Sequence, residues 1–173
     1  MARTDQKTVP DSSEESGTAR PDAMVPLGKC SLFTDLPSDV LERIQGLVCE
    51  REFDENTTIF NEGDPAEELF ILASGEVELD YTLPNQPDTV LRITRIAPGE
   101  VFAWSALAGL SRLSAKGRTL QKSRVYAISG SDLRELFKSS PETGYLVMSR
   151  LTAVVASRLI DSRLQLRWLL SAT

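Results

Sequence analysis

From Cys49 to Ile128 apolar and polar positions alternate in short runs, whereas on both sides of that stretch apolar positions recur three and four apart. The alternating runs are Thr58-Ile59-Phe60, Leu69-Phe70-Ile71-Leu72, Val77-Glu78-Leu79-Asp80-Tyr81, Val90-Leu91-Arg92-Ile93 and Arg124-Val125-Tyr126-Ala127-Ile128. Turn residues bound each of them: Asp54-Glu55-Asn56, Glu62-Gly63-Asp64-Pro65, Ser74-Gly75-Glu76, Pro84-Asn85-Gln86-Pro87-Asp88 and Pro98-Gly99. Short strands with almost no helix between them predict a mainly β fold with flanking helices: an antiparallel β-roll, or double-stranded jelly roll, with a long C-terminal helix.

The flanks supply those helices. Leu36-Pro37-Ser38-Asp39 reads as a helix start, and Val40, Leu41, Ile44, Leu47 and Val48 follow at helical spacing. Downstream, Ser131 caps a short helix through Phe137, and Pro141-Glu142 opens a longer one reaching about Leu170. Along it Met148, Leu151, Val155, Leu159, Ser162, Leu166 and Leu169 form an apolar seam. The expectation is a homodimer through this helix, and the alternative is a helix folded back on its own roll. Arg150, Arg158, Arg163 and Arg167, on or beside that helix, read as a solvated face. Before the first helix, residues 1–29 lack large apolar groups and carry Ser12-Ser13-Glu14-Glu15-Ser16, so they read as a disordered tail and solvated linker. The organisation is thus tail 1–29, helix and roll 30–138, and terminal helix 139–173.

Composition narrows the chemistry. A chain of 173 residues with 41% hydrophobic residues suits one domain with appendages, and a net charge of -6 disfavours a chain whose main work is gripping nucleic acid. It contains no histidine, which removes histidine-dependent nucleophiles and most catalytic zinc sites. Neither of its two cysteines, Cys30 and Cys49, has an evident activating base. Asp64, Glu67 and Glu68 fit turn and surface roles. The expectations are no catalytic residues, no metal, no nucleic-acid or membrane partner, and a cytoplasmic location; no apolar run is long enough to span a bilayer.

The most informative stretch runs from Pro98 to Ala115: a Pro-Gly turn, a helix-compatible run from Trp104 to Leu110, and a return to strand. Breaks of this kind open a β shell to a ligand. The candidate ligand-binding residues are Gly99, Glu100, Phe102, Ala103, Trp104, Ser105, Ala106, Arg112, Ser114 and Ala115. Phe102 and Trp104 offer a π-faced wall, Ser105 and Ser114 offer hydroxyls, and the amides opening the turn offer an anion cradle. The competing expectation is that Trp104 fills the cavity itself. Lys116 and Arg118, in the next strand, read as outward and solvated.

Ile59-Phe60-Asn61-Glu62-Gly63-Asp64, then Leu69 to Val77 through Ser74-Gly75-Glu76, then Pro98-Gly99-Glu100-Val101-Phe102, then a long terminal helix, resembles the cyclic nucleotide-binding domain. More narrowly it is similar to the effector domain of the catabolite activator family of bacterial regulators. The resemblance spans about Leu32 to Leu169 and implies a β-roll flanked by helices. It also implies a phosphate cassette, in which a Phe-Gly-Glu step presents Glu to the ribose hydroxyl and an Arg before Ser/Thr-Ala pairs with the cyclic phosphate. Here those steps read Phe102-Ala103-Trp104 and Leu113-Ser114-Ala115, so both ionic contacts of a cyclic nucleotide are missing. Loss of the arginine alone removes roughly 1.5–3 kcal/mol, about one to two powers of ten in affinity. Arg112 is one residue away, and a one-residue step turns a strand side chain to the other face, so rescue requires a bulge. Only three residues follow Leu170, so no helix-turn-helix is expected. The functional expectation is a non-enzymatic, cyclic-nucleotide-binding-like sensory or regulatory domain, without a resident cofactor, that couples occupancy by an unknown effector to the terminal helix. The alternative is a ligand-free scaffold that docks a partner protein.

Overall fold

The computed structural model describes residues 27–83 and 86–171, and residues 1–26 of the expected tail lie outside the described residues. A 3-10 turn, Leu27–Lys29, leads to helix α1 (Ser38–Gln45). Strands β1 (Val48–Phe53), β2 (Thr58–Phe60), β3 (Glu68–Ser74), β4 (Val77–Leu83), β5 (Gln86–Ile96) and β6 (Val101–Phe102) follow. Then come the short helix α2 (Ser105–Ala108), strands β7 (Lys116–Thr119) and β8 (Ser123–Ser129), and helices α3 (Gly130–Ser139) and α4 (Pro141–Ser171).

The strands make two antiparallel sheets, ordered β1-β8-β3-β6 and β2-β7-β4-β5. They face each other as a roll. The continuous apolar runs of β3 and β8 follow from burial on both faces. Alternate residues Leu69, Ile71, Tyr126 and Ile128 pack outward against the helices, while Phe70, Leu72, Val125 and Ala127 pack inward between the sheets. The outer core also takes Leu32, Phe33, Val40, Ile44, Leu133, Val147 and Leu151. In the inner core Phe60, Phe70 and Phe102 stack with ring centroids 5.3–6.1 Å apart. Gly117 makes this possible, because a β-carbon there would lie 2.7 Å from the Phe60 ring.

The helices are joined to the roll at defined points. The Ser129 hydroxyl caps α3 by accepting from the Asp132 amide at 3.3 Å, so Ser129 and not Ser131 starts that helix. Gly130 sits where a β-carbon would meet the Ala106 carbonyl oxygen at 2.6 Å, which brings α2 hard against the start of α3. Gly144 does the same for α3 and α4, lying against Phe137.

Several expectations change. Leu27, assigned to the tail, is buried because it fills the outer core beside Leu32 and Phe33. The first helix ends at Gln45 and Val48 opens β1, since Gly46 and Leu47 close the helix with bonds to Glu42 and Ile44. Gln86 pairs with Leu83, so the expected turn Pro84–Asp88 shortens and β5 begins inside it. Arg118 points outward but is not simply solvated: it pairs with Glu78 at 3.1 Å and with Asp80 at 3.9 Å. The terminal seam divides. Leu151 is buried in the chain's own core and Val155 is half-buried against it, whereas Met148 and Leu159 are exposed. Ser162 is half-buried and donates to the Arg158 carbonyl, and the side chains of Leu166 and Leu169 lie outside the described residues. Arg150 and Arg158 are not on a solvated face. Arg150 donates to the Leu32 and Thr34 carbonyls and so ties α4 to the loop before α1.

Candidate functional site

A cup is lined by residues of β2, β4, β5 and β6 and by the segments on either side of α2. Its enclosed volume is about 90 Å³, and its mouth is open to solvent. The cassette segment forms one wall. After β6 the chain turns at Ala103, whose φ of 54° is left-handed, then passes through Trp104 into α2 and leaves it at Gly109, φ 76°. A left-handed alanine costs about 1–2 kcal/mol relative to a right-handed one, so the turn holds a residue ill-suited to its backbone at the step where the resemblance places glycine.

Of the candidate residues, Ala103, Trp104, Ser105, Ser114 and Ala115 line the cup. The other candidates lie elsewhere. Phe102 is fully buried in the stacked phenylalanines, and Ala106 is fully buried under α3. Gly99 forms the β5–β6 turn with a φ of 90°, and its amide bonds the Leu72 carbonyl at 2.8 Å. Arg112 donates to the Gly63 carbonyl at 2.6 Å on the outer side and forms a bridge with Pro65. Two backbone bonds, Leu113 amide to Asp64 carbonyl and Gly63 amide to Leu113 carbonyl, both 2.9 Å, set the register there. Leu113 therefore points into the cup and Arg112 away from it.

The rest of the wall comes from Phe60, Leu79, Ile93, Thr94, Ile96, Val101 and Leu113, with Arg158 reaching across from α4. Ile96 and Val101 carry the ordinary signal of inward strand residues. Arg158 carries none, since its partner Thr94 is 64 positions away in sequence. Its Nη1 donates to Thr94 Oγ1 at 2.7 Å and its Nη2 lies 3.2 Å from Glu100 Oε1. Glu100 uses its other oxygen, Oε2, to accept from the Ala97 amide at 2.8 Å, so one carboxylate holds both its own turn and the terminal helix. Among the described cup residues Arg158 is the one cation, and Ser105, Ser114 and Thr94 supply hydroxyls in an otherwise apolar lining.

A second cleft opens on the opposite side of Phe60 and Leu113, lined by Asp64, Glu67 and the pair Arg51–Glu68, whose two bonds are both 2.7 Å. Asp64 accepts from the Asn61 amide at 2.7 Å, so Asp64 serves its turn and Glu68 ties β3 to β1 through Arg51. Cys30 is buried, and that burial pushes its thiol pKa up, away from a reactive thiolate. Cys49 is half-exposed and free. Among the described residues no cluster of potential metal ligands occurs, and no helix is long and apolar enough to cross a membrane.

Two facing antiparallel sheets, a turn after β6 bearing a short helix, and a long terminal helix seated on α3 define a mainly β roll with flanking helices. The profile of the cyclic nucleotide-binding domain matches residues 50–140, more than half of the chain, and the chain belongs to that family. It is 27% identical over 135 residues to the cyclic AMP receptor protein of Thermus thermophilus, a match covering 78% of this chain and 60% of that protein. The crystal structure of the Thermus thermophilus catabolite activator protein superposes with a TM-score of 0.66 at 26% identity, covering 80% of this chain and 62% of that one. A cyclic nucleotide-binding domain from Methylobacillus flagellatus shares the fold, with a TM-score of 0.70 at 20% identity over 85% of this chain and 80% of that one. The chain spans 27% to 60% of the lengths of the curated relatives it matches.

Proposed function

We propose that this domain is a non-enzymatic sensor: a small effector occupies the cup, and occupancy changes how α4 is held. The observation that carries the reading is the Arg158 side chain, which belongs to α4 yet forms part of the cup wall through Thr94 and Glu100. Anything that enters the cup competes for, or adds to, those contacts. A second connection runs through packing. Arg134 of α3 donates to the Ala106 carbonyl of α2, Gly130 seats α2 on α3, and Phe137 seats α3 on Gly144 of α4. A displaced cassette therefore presses on both helices. An effector shifts the α4 arrangement only as far as it binds one arrangement better than the other.

The exposed edge of α4, with Met148 and Leu159 and extended in sequence by Leu166 and Leu169, supports a homodimer through this helix. The test combines thermal unfolding in cyclic AMP, cyclic GMP and a cyclic dinucleotide with sedimentation at micromolar concentration. An effector at one hundred times its dissociation constant stabilises by about 2.7 kcal/mol. A monomer at all concentrations refutes the dimer. An effector that raises the midpoint but leaves the separation of spin labels at Leu159→Cys unchanged refutes the coupling. The alternative, a scaffold that docks a partner protein, draws on Tyr145, 78% exposed at the start of α4, beside Met148.

A further inference from the structure

We propose that the cup takes a small molecule with one anionic head on an apolar body, and that Arg158 of α4, not the cassette, holds the head. This deepens the sensing reading and rests on it. On the cassette side the positions that would meet charge are Trp104 and the buried Leu113, and Arg112 is turned outward to the Gly63 carbonyl. A cyclic nucleotide seated in the usual sense would press its ribose hydroxyl and phosphate against those apolar groups and leave them unpaired. The lining between cassette and helix is apolar, through Leu79, Ile93 and Ile96. It suits a hydrocarbon or aromatic body.

The anionic head has one guanidinium to meet among the described cup residues, and its setting suits exchange. The Arg158 side chain is 20% exposed, so it is largely removed from water, while its partner Glu100 is 43% exposed. A guanidinium presents five N–H donors in a planar fork, and the bonds to Thr94 and Glu100 engage two of them. Glu100 divides its oxygens: Oε1 faces Arg158 and Oε2 accepts from the Ala97 amide. An incoming carboxylate or sulfonate therefore replaces Oε1 at the fork, and the turn keeps its own bond through Oε2. Glu100 Oε1 is thus an internal stand-in for the ligand's head. Because the guanidinium rides on α4, the exchange of an internal for an external anion is felt directly by the helix.

The test uses the full chain carrying Trp168→Phe, which leaves Trp104 as its one tryptophan, so emission reports the cup. The probes are 4-phenylbutyrate, its neutral amide 4-phenylbutyramide, and cyclic AMP. The acid saturably shifts Trp104 emission and raises the unfolding midpoint, and the amide binds about tenfold or more weakly. Arg158→Gln lowers the affinity for the acid to that for the amide and leaves the amide unchanged. Arg158→Lys keeps the charge and falls between. Glu100→Gln removes the internal competitor and tightens the acid by up to about fivefold. Circular dichroism confirms that each variant is folded. Equal affinity for acid and amide, or indifference to Arg158→Gln, overturns the role of Arg158 and leaves the sensing reading standing. Cyclic AMP binding more tightly than the acid and independently of Arg158 also overturns it, with the cup retained as a nucleotide site. Silence from all three probes overturns it as well, and if cyclic GMP and a cyclic dinucleotide also leave the midpoint unmoved, the sensing reading falls with it.

Discussion

Two sets of opposite charges sit on this roll and are held in different ways. On the outer face of the second sheet, Glu78 and Asp80 are buried under arginines. Glu78 Oε1 pairs with Arg118 at 3.1 Å, Glu78 Oε2 pairs with Arg92 and lies 3.7 Å from Arg95, and Asp80 lies 3.9 Å from Arg118. The partners are ladder neighbours: Glu78 is opposite Arg95 on one side and Arg118 on the other, and Asp80 is opposite Arg92. At the cup mouth, by contrast, one half-exposed carboxylate meets one arginine from a distant helix. The first set is fixed by backbone register and its carboxylates are buried, with Asp80 Oδ1 left without a hydrogen-bond partner, so it belongs to the fold. The second depends on where α4 lies, so a ligand can change it.

The largest expected effect is at the sheet. Glu78→Gln leaves Arg92, Arg95 and Arg118 facing one another with Asp80 alone, and urea unfolding should show a loss of about 2 kcal/mol, below the full penalty of a deeply buried pair because the arginines reach water. A loss under about 0.5 kcal/mol would class the cluster with ordinary surface pairs and erase the contrast.

Asp80 sharpens the contrast through pH. Its burial, together with the neighbouring Glu78 carboxylate, raises its pKa above the usual aspartate value. The protonated form is thus favoured in the folded state. The destabilisation is fully present above the raised pKa and is relieved as pH falls through it toward the usual value. Asp80→Asn should therefore be more stable than the parent at pH 7, with the advantage shrinking as the solution is acidified below the raised pKa. An advantage that stays constant across that window would show that Asp80 does not titrate as the buried geometry requires.

The smallest expected effect is at the cup. Arg158→Gln should change unfolding free energy by under about 1 kcal/mol, and less at high salt. A loss of several kcal/mol would make Arg158 a strut of the fold and not an exchangeable contact.

How much of this was legible in the sequence depends on how far apart the cooperating residues lie. Alternation located β2 at Thr58–Phe60, because the strand reads from its own residues. The cassette wall was legible for the same reason: Ala103, Trp104 and Ser105 are consecutive, and Ser114-Ala115 return at the end of the same loop. Phe102 was misread as ligand-facing because a two-residue strand has too little pattern to show which face meets the phenylalanine stack and which the cup. Leu151 was misread as interface because a helical seam records that a residue is apolar, not whether its own core or a second copy covers it.

Local periodicity and short-range spacing were enough to specify the roll and its helices, because each of those elements is written in its own consecutive residues. Only the tertiary structure decided that a guanidinium reaches the cup. Arg158 meets Thr94 and Glu100 because α4, seated on α3 and on the outer core through Val147 and Leu151, carries it there, and a contact between residues some sixty positions apart leaves no periodicity for either segment to display.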